Sequence, residues 1–341
     1  MKHKTFFWFF LPTALAMIIF IFFPIISVLI QSVFIPHESV LVTSESCTPF
    51  GCTKETAIDH EATRALKTKE PLGRFVGLEI YFDRGHLALE QIKEIWSEKQ
   101  NFNQFFLSLS NLPFYRAMFF TLTFTFTVTP IMIVFGLLIA LAVNRLNKYL
   151  KGILIFFSLL PMIVTPLIGS LILFWMIDSR GILGSAIQWL MDDPNLSLKA
   201  STGLTWLMLI IYGIWHAAPF SFIVFYAGLQ TLPKDQIESA KIDGATKFQQ
   251  VWYIIIPHLM PLITFVALMQ LMDNFRVFEP IVGFNAEAHA TSLSWIIFND
   301  LGGETRQLSA AATSSVMTII GVAILLFPVL IRTWQDFKGK K

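Results

Sequence analysis

Six long runs without Asp, Glu, Lys or Arg set the limits on what this chain can fold into. A bilayer core of roughly 30 Å needs about 20 apolar residues in a helix, and a helix satisfies its backbone hydrogen bonds without water. A hydrophobic fraction of 55% with 14% charged residues fits the same class. The sequence therefore predicts an all-α membrane protein with six transmembrane helices. The runs are Phe6–Phe34, Ala117–Val143, Gly152–Ile177, Ala200–Pro233, Phe248–Met272 and Gln307–Ile331.

The first run follows Lys2 and Lys4, as the core of a secretory signal does. It is longer than such a core, and no small-x-small cleavage site follows it. We therefore expect an uncleaved first transmembrane helix.

A threonine-rich stretch, TLTFTFTVT at residues 121–129, alternates polar and apolar residues as a β-strand does. A lone strand cannot cross lipid because its backbone groups would stay unpaired, whereas a helix pairs them and lets Thr hydroxyls bond the preceding turn. We expect a helix with a Thr-rich packing face here.

The distribution of Lys and Arg in short loops and tails predicts the orientation, because these residues concentrate on the cytoplasmic side. The opposite side has only Arg180, Lys199 and Arg306 in its short loops. Both termini are therefore predicted to be cytoplasmic. The cytoplasmic cations are Lys2, Lys4, Arg145, Lys148, Lys151, Lys234, Lys241, Lys247, Arg332, Lys338, Lys340 and Lys341.

The two cysteines, Cys47 and Cys52, occur in the motif ESCTPFGC within the long segment predicted to lie outside. Thiols oxidise in that compartment, so a Cys47–Cys52 disulfide closing a small Pro/Gly turn is the favoured interpretation. A pair of free thiols remains the alternative, and two lone thiols are a poor metal site.

A polar segment interrupts the apolar chain between the fourth and fifth runs. Gln236–Asp243 is predicted to form a short helix after Leu232-Pro233, Gly244 a bend, and the following residues a second helix leading into Pro257. Small residues such as Ser239 suit close docking into a groove of another protein. An ordinary polar connector is the alternative.

This segment resembles the coupling loop, or EAA motif, of permease subunits of binding-protein-dependent ABC importers. The shared pattern is Glu-small-Ala, then Gly, nine further residues, and Ile-x-aliphatic-Pro. Ser239 stands where Ala is usual and Ile256 where Leu is usual. We call residues 234–257 the coupling segment. The resemblance assigns ATPase coupling to Glu238, Ser239, Ala240, Asp243, Gly244, Ile254 and Pro257.

Three further stretches resemble the maltose and glycerol-phosphate permease branch. They are FVGLEIYF from Phe75, LPMIVTPLIGSLILFWMID from Leu160, and AGLQTLP from Ala227. Ile80 departs from the Asn usual in the first of these. The resemblance covers the chain from Phe6 to the last helix and leaves residues 37–73 unexplained.

The resemblance implies a multi-pass permease subunit of a carbohydrate importer in a bacterial or archaeal inner (plasma) membrane. The implied partners are a second permease subunit, two copies of a cytoplasmic ABC ATPase, a periplasmic or extracellular sugar-binding protein and membrane lipid, but no nucleic acid. The chain lacks the phosphate-binding pattern G-x-x-x-x-G-K-[ST]. We therefore expect a non-enzymatic subunit with no directly bound cofactor and no catalytic or metal-binding residues, and ATP and Mg²⁺ are used by the partner ATPase.

The domain organisation follows from the same arguments. Residues 1–35 are predicted to form the N-terminal transmembrane helix, and residues 36–115 a periplasmic segment where a binding protein would dock. Residues 116–341 are predicted to form a five-helix permease core containing the coupling segment. The amphipathic stretch LALEQIKEIWSEKQNFNQFF suits a helix lying on the membrane surface or on that partner.

Polar groups inside predicted spans are candidates for the substrate pathway, because they are costly in lipid and usually face a cavity. Helical spacing places Gln270, Asp273 and Asn274 on one face of the fifth helix. Polyols need such groups together with aromatic faces. A purely structural Asp273–Arg276 pair remains the alternative, and Glu279 is expected to be solvated at the helix end. Trp215, His216 and Phe220 of the fourth helix are the remaining pathway candidates.

Other functional classes fit less of the sequence. An ion-coupled secondary transporter would show paired halves with broken helices, and these halves do not repeat. An intramembrane enzyme would need a motif such as H-E-x-x-H or G-x-S-x-G, and neither occurs. A structural scaffold would have no need of the coupling pattern. A permease for a polyamine, phosphate or peptide remains the alternative within ABC importers.

Overall fold

The computed structural model describes residues 3–38, 40–48, 51–97, 101–302 and 307–339. Helices dominate these residues, and the predicted all-α membrane fold is confirmed. The chain divides into two compact units. One comprises Met1–Tyr115 with Ile296–Ile319, and the other Arg116–Trp295 with Ile320–Lys341.

The N-terminal part contains helices and two short antiparallel strand pairs. A π-helical turn, Ile18–Phe22, joins the first two helices, and strand β1 pairs with β4 and β2 with β3. The elements are α1 His3–Met17, α2 Phe23–Gln31, β1 Phe34–Ile35, β2 Leu41–Thr48, β3 Gly51–Ile58, α3 His60–Lys69, β4 Arg74–Phe75, α4 Glu79–Phe82, α5 Leu89–Ser97 and α6 Phe102–Ser110.

The remainder of the described chain is helical. A second π-helical turn, Val251–Ile255, precedes α14. The helices are α7 Pro113–Asn144, α8 Lys148–Ile163, α9 Pro166–Met176, α10 Ile182–Met191, α11 Thr202–Gln230, α12 Lys234–Ile242, α13 Lys247–Gln250, α14 Ile256–Phe275, α15 Glu279–Gly283, α16 Leu293–Gly302 and α17 Leu308–Gly339.

In the part of the chain that the structure describes, five helical stretches are long and apolar enough to cross a membrane, and a bent pair accounts for the sixth predicted run. That pair is α8 and α9, whose axes meet at 94°. The break lies just before Pro166, where Val164 and Thr165 have ψ angles of 128° and 145°. A proline pushes the preceding residue into extended backbone, so the third run bends instead of continuing straight. The five stretches are Phe6–Gln31, Pro113–Asn144, Thr202–Gln230, Lys247–Phe275 and Leu308–Ile331.

Both π-helical turns lie directly before a proline near the start of the next helix, Pro24 in α2 and Pro257 in α14. A proline ring clashes with the carbonyl four residues earlier and cannot donate to it. The wider π turn changes the position of that carbonyl, so the helix continues through the proline without a break.

Helices α7, α11 and α14 pack closely in the larger unit because small residues occupy their contacts. A Cβ atom added at Gly136 of α7 would lie 2.4 Å from the Ser221 Cβ of α11. One added at Gly228 of α11 would lie 2.5 Å from a Leu259 methyl carbon of α14. Glycine at these contacts permits the helix separation that membrane packing requires.

The predicted Thr-rich packing face is present on α7. Thr121, Thr125 and Thr129 are each at most 3% exposed. The Thr125 hydroxyl donates to the Thr121 carbonyl one turn earlier, at 2.7 Å. The Thr121 hydroxyl accepts the Leu293 N–H at 3.2 Å. The threonines therefore satisfy polar groups inside the helix bundle.

The FVGLEIYF stretch has a structural role in the smaller unit. The Tyr81 hydroxyl donates to the Ser32 hydroxyl at 2.8 Å, and the Val76 N–H donates to the Val33 carbonyl at 3.0 Å. The Thr313 hydroxyl of α17 donates to the Ser32 carbonyl at 3.3 Å. These bonds connect the end of the first transmembrane helix to the start of the last one.

The cysteines lie in the hairpin formed by β2 and β3, where Cys47 and Cys52 are register partners. Their side chains fall outside what the structure describes, so the disulfide stays a prediction. The amphipathic stretch forms two helices, α5 and α6, where the sequence suggested one.

Candidate functional site

A cavity of about 610 Å³ opens among α8, α9, α11, α14 and α15 in the larger unit. Five of the six predicted pathway residues line it. Trp215 does not, because its ring lies on another face of α11, 46% exposed and tilted against Tyr212 with ring centroids 6.0 Å apart. The five lining residues are His216, Phe220, Gln270, Asp273 and Asn274.

One wall of the cavity is the break between α8 and α9. The Tyr212 hydroxyl donates to the Pro166 carbonyl at 2.9 Å, and the His216 Nε2 lies 3.1 Å from the Val164 carbonyl oxygen. The two rings stack with centroids 5.7 Å apart. A broken helix leaves carbonyls without intrahelical partners, and in a membrane these need partners from the protein. His216 of α11 supplies the partner for the Val164 carbonyl at the break. Tyr212 adds a bond to the Pro166 carbonyl, which also accepts from the Ser170 hydroxyl at 2.8 Å.

The C-terminal end of α14 forms the polar part of the cavity. Gln270 and Asn274 are each 8% exposed, and the Asn274 amide donates to the Thr129 hydroxyl at 2.9 Å. Asp273 is about half exposed and accepts from Arg276 at 3.0 Å. The structure thus contains both arrangements considered from the sequence. Asp273 and Arg276 form an ion pair, and that pair lines the cavity.

Three further residues line the cavity although the sequence did not predict them to be part of the substrate pathway: Arg276, Glu279 and Tyr212. Arg276 follows the last helical residue of α14, and Glu279 begins α15 and is exposed, as expected for it. Both line the cavity because α15 follows α14 after only three residues. Tyr212 lies one turn before His216, and that helical spacing is the signal that could have identified it.

The coupling segment adopts the predicted helix, turn and helix. Gly244 has a φ of +80°, a left-handed conformation that residues with a Cβ disfavour. The Ala245 N–H donates to the Ala240 carbonyl at 2.9 Å. Thr246 and Gln249 then form a capping box, with bonds of 2.7 and 3.3 Å between each side chain and the other's backbone N–H. Every bond in this turn joins residues at most five positions apart.

The predicted coupling residues surround two adjoining open grooves. Gly244 lines the smaller groove, whereas Glu238 is exposed on α12 and lines neither groove. The side chains leave the grooves accessible, as a docking surface requires. The larger groove is lined by Ser239, Ala240, Asp243, Ile254 and Pro257, together with Asp235, Gln236, Tyr253 and His258.

Several large hydrophobic side chains are exposed on the coupling segment, and Phe248 stacks on Trp252 with ring centroids 6.2 Å apart. Ile242 is 87% exposed and Phe248 is 75% exposed, whereas Ile237 packs against the apolar core of the unit. Exposed apolar side chains rimmed by polar residues mark interaction sites. The sequence motif did not single out Ile242 or Phe248, although apolar residues in a charged segment were the available signal.

An ion pair lies in the loop region between α9 and α11. The Lys199 Nζ is 2.7 Å from the Asp178 carboxylate and 3.5 Å from the centroid of the Phe174 ring. The hydrogen bond from Lys199, with a second from the Arg180 N–H, holds the pKa of Asp178 below its ordinary value. This pair lies outside the cavity lining.

Comparison with known proteins settles the family. The profile of the "Binding-protein-dependent transport system inner membrane component" family matches residues 132–338, which include the coupling segment and the polar end of α14. The chain belongs to this family. It is therefore a transmembrane permease subunit of an ABC importer, and the family predicted from the coupling motif is confirmed.

Some of the curated relatives have names that state a substrate. The sn-glycerol-3-phosphate transport system permease protein UgpA of Agrobacterium fabrum is 26% identical over 226 residues, covering 64% of this chain and 75% of the relative. The trehalose/maltose transport system permease protein MalF of Thermococcus litoralis is 30% identical over 205 residues, covering 56% and 65%.

Among solved structures, a bacterial ABC transporter involved in the import of the acidic polysaccharide alginate shares the fold. Its chain superposes with a TM-score of 0.69 at 18% identity, covering 98% of this chain and 96% of that one. The match extends over both the N-terminal part and the permease core.

Proposed function

We propose that this chain carries a carbohydrate across the inner membrane through the cavity at the end of α14. A second permease subunit completes the pathway, two copies of a cytoplasmic ATPase drive it, and a periplasmic or extracellular binding protein delivers the sugar. Both termini lie in the cytoplasm, and residues 36–115 lie outside. The sugar-related names of the relatives support this substrate class.

The single observation that carries the proposal is the open surface of the coupling segment in a chain of this family. The grooves beside α12, with the exposed Ile242 and Phe248, suit insertion into a partner that hydrolyses ATP. The chain itself lacks the phosphate-binding pattern. ATP and Mg²⁺ are accordingly bound by the partner, and this subunit converts the partner's movement into movement of α14.

In the cavity, each group has a role that sugar chemistry requires. The Gln270 amide and the Asp273 carboxylate hydrogen-bond sugar hydroxyls, and Asn274 does so while it remains anchored to Thr129. Phe220 offers an apolar face to the ring carbons. His216 holds the cavity wall in place through Val164. Trp215 contributes only where it meets the second permease subunit.

The test is sugar-stimulated ATPase activity of the purified complex in proteoliposomes, with the binding protein present. A panel of mono- and oligosaccharides is compared with spermidine, inorganic phosphate and a peptide mixture. Stimulation by a sugar supports the proposal. Stimulation only by one of the non-sugar solutes overturns the carbohydrate assignment, and a purified complex without an ATPase overturns the coupling role.

A matched pair of variants tests the coupling segment in the same assay. A β-branched residue cannot adopt the φ of Gly244 without strain, whereas Asn tolerates it. Nothing lies within 4 Å of a Cβ at this position, so the variants differ in backbone preference and not in packing. We expect Gly244→Val to abolish stimulation and Gly244→Asn to retain most of it. Equal activity of the two would contradict a role for this turn.

A further inference from the structure

The charged groups that line the cavity are few among the residues that the structure describes. Asp273 and Glu279 carry carboxylates, and Arg276 carries the guanidinium. Tyr212 and His216 both contact backbone carbonyl oxygens.

The two carboxylates differ in their partners. Asp273 and Arg276 form an ion pair at 3.0 Å, so their charges largely cancel. Glu279 is exposed, and its carboxylate forms no hydrogen bond or ion pair with any part of the chain that the structure describes. The cavity therefore carries one unpaired negative charge from this subunit.

An unpaired charge inside a cavity acts on a ligand more strongly than one on an open surface, because low-dielectric walls focus its field. A sugar hydroxyl donates readily to a carboxylate, whereas a uronate or phosphate group is repelled by it and finds no free cation to pair with. Among the described residues of the lining, Arg276 is the cationic side chain, and it already pairs with Asp273.

We propose that this cavity selects uncharged sugars and excludes sugar acids and sugar phosphates, with Glu279 as the residue that sets this preference. The inference rests on the proposed carbohydrate function and narrows its substrate class. A preference for uncharged sugars would distinguish the substrate of this chain from those of the alginate transporter and the glycerol-3-phosphate permease, whose named substrates are anions. A single unpaired carboxylate also matches a neutral polyol better than a polyamine, whose several ammonium groups need several anions.

The test measures direct binding to the purified permease–ATPase complex in nanodiscs without binding protein, so that the binding protein's own specificity plays no part. The probes are three matched pairs: mannotriose with trimannuronate, galactotriose with trigalacturonate, and glycerol with sn-glycerol 3-phosphate. We expect the neutral member of a bound pair to bind at least about tenfold more tightly than the acidic one, as a nearby like charge predicts.

Two variants make the test specific to Glu279. Glu279→Gln is expected to reduce the neutral-over-acidic ratio severalfold, and Glu279→Lys to bring it to one or below. Glu287→Lys is the matched control, because it makes the same charge change in the same part of the chain but lies outside the cavity lining. It is expected to leave the ratio unchanged.

Three results would overturn the inference. The acidic member could bind more tightly in the wild type, or Glu279→Lys could change the ratio no more than Glu287→Lys does. Either of these two results would leave the carbohydrate assignment intact, because a sugar would still bind. Failure of every sugar to bind, together with ATPase stimulation by spermidine or phosphate, overturns the proposed function and this inference with it.

Discussion

The coupling segment and the cavity are built in opposite ways. Hydrogen bonds in the coupling segment join residues at most five positions apart, as between Ala245 and Ala240. Apart from the local Asp273–Arg276 pair, those around the cavity join residues far apart in sequence, as in the bonds from His216 to Val164 and from Asn274 to Thr129. This difference indicates that the coupling segment folds from local interactions, so that substitutions in it should impair partner binding without changing stability. Substitutions that break the bonds around the cavity should instead lower the stability of the whole fold.

The largest effect is expected from removing the exposed apolar side chains of the coupling segment. Phe248→Ser and Ile242→Ser should each weaken ATPase binding about 10- to 100-fold, because buried anchors at an interface contribute about 1–3 kcal/mol. The melting temperature of the isolated subunit should not change, since both side chains are exposed in it.

The measurement is co-purification and titration of the ATPase against detergent-solubilised subunit. Tyr149→Ser serves as the control, because Tyr149 is 92% exposed and outside the coupling segment. A fall in the melting temperature of the Phe248 variant would break the comparison, since it would show that this side chain supports the fold.

The next effect concerns the buried bond between Asn274 and Thr129. Asn274→Leu alone and Thr129→Val alone should each destabilise the subunit by about 1–2 kcal/mol, because each leaves a buried polar group unpaired. The double variant should be less destabilised than the sum of the two. Thermal unfolding of all four proteins in one detergent gives the coupling energy, and strict additivity would show that the bond is not formed.

A smaller effect is expected at the break between α8 and α9. Tyr212→Phe removes only the hydroxyl that donates to Pro166. The cost should be about 1 kcal/mol, the net value of one hydrogen bond. Thermal unfolding again measures it. Tyr226→Phe, on the same helix and outside the cavity lining, is the matched control. Equal stability of both variants would mean that the bond from Tyr212 to the Pro166 carbonyl does not stabilise the break.

The smallest effect is the pH dependence of the Asp178–Lys199 pair. The pKa of Asp178 is lower in the folded chain than in the unfolded chain. The ion pair therefore stabilises the fold at pH values above the unfolded-state pKa, and this stabilisation is lost as the pH falls through the folded-state pKa. Asp178→Asn should therefore melt slightly below the wild type at pH 7, with the gap closing in acid. A gap that widens in acid would contradict this sign.

Local rules explain which parts could be predicted from the sequence. Charge-free runs fix the transmembrane helices, and glycine chemistry fixes the turn at Gly244, since both depend on neighbouring residues. The face shared by Gln270, Asp273 and Asn274 follows from helical spacing. The family was predictable because its motif lies in such a local segment.

The rest depended on contacts between distant residues. Pro166 predicts a local disturbance but not a 94° bend, because the Val164 carbonyl at the break finds its partner, His216 of α11, only in the folded bundle. Trp215 is predicted to line the pathway because it offers an aromatic face, yet it directly precedes His216 on α11, and adjacent helical residues point about 100° apart. Glu279 was expected to be solvated, and only the short connection to α15 brings it to the cavity.

The π-helical turn before Pro257 has a mechanical consequence. Because the helix continues through that proline, Lys247–Phe275 forms one stretch of 29 residues, with the coupling segment at one end and Asp273 at the other. At 1.5 Å per residue it is about 43 Å long. A tilt of about 10° about one end would displace the other by roughly 7 Å, about the width of a sugar ring. Under the proposed coupling role, a rotation of about 10° at the coupling segment would therefore move the cavity lining around Asp273 by roughly 7 Å.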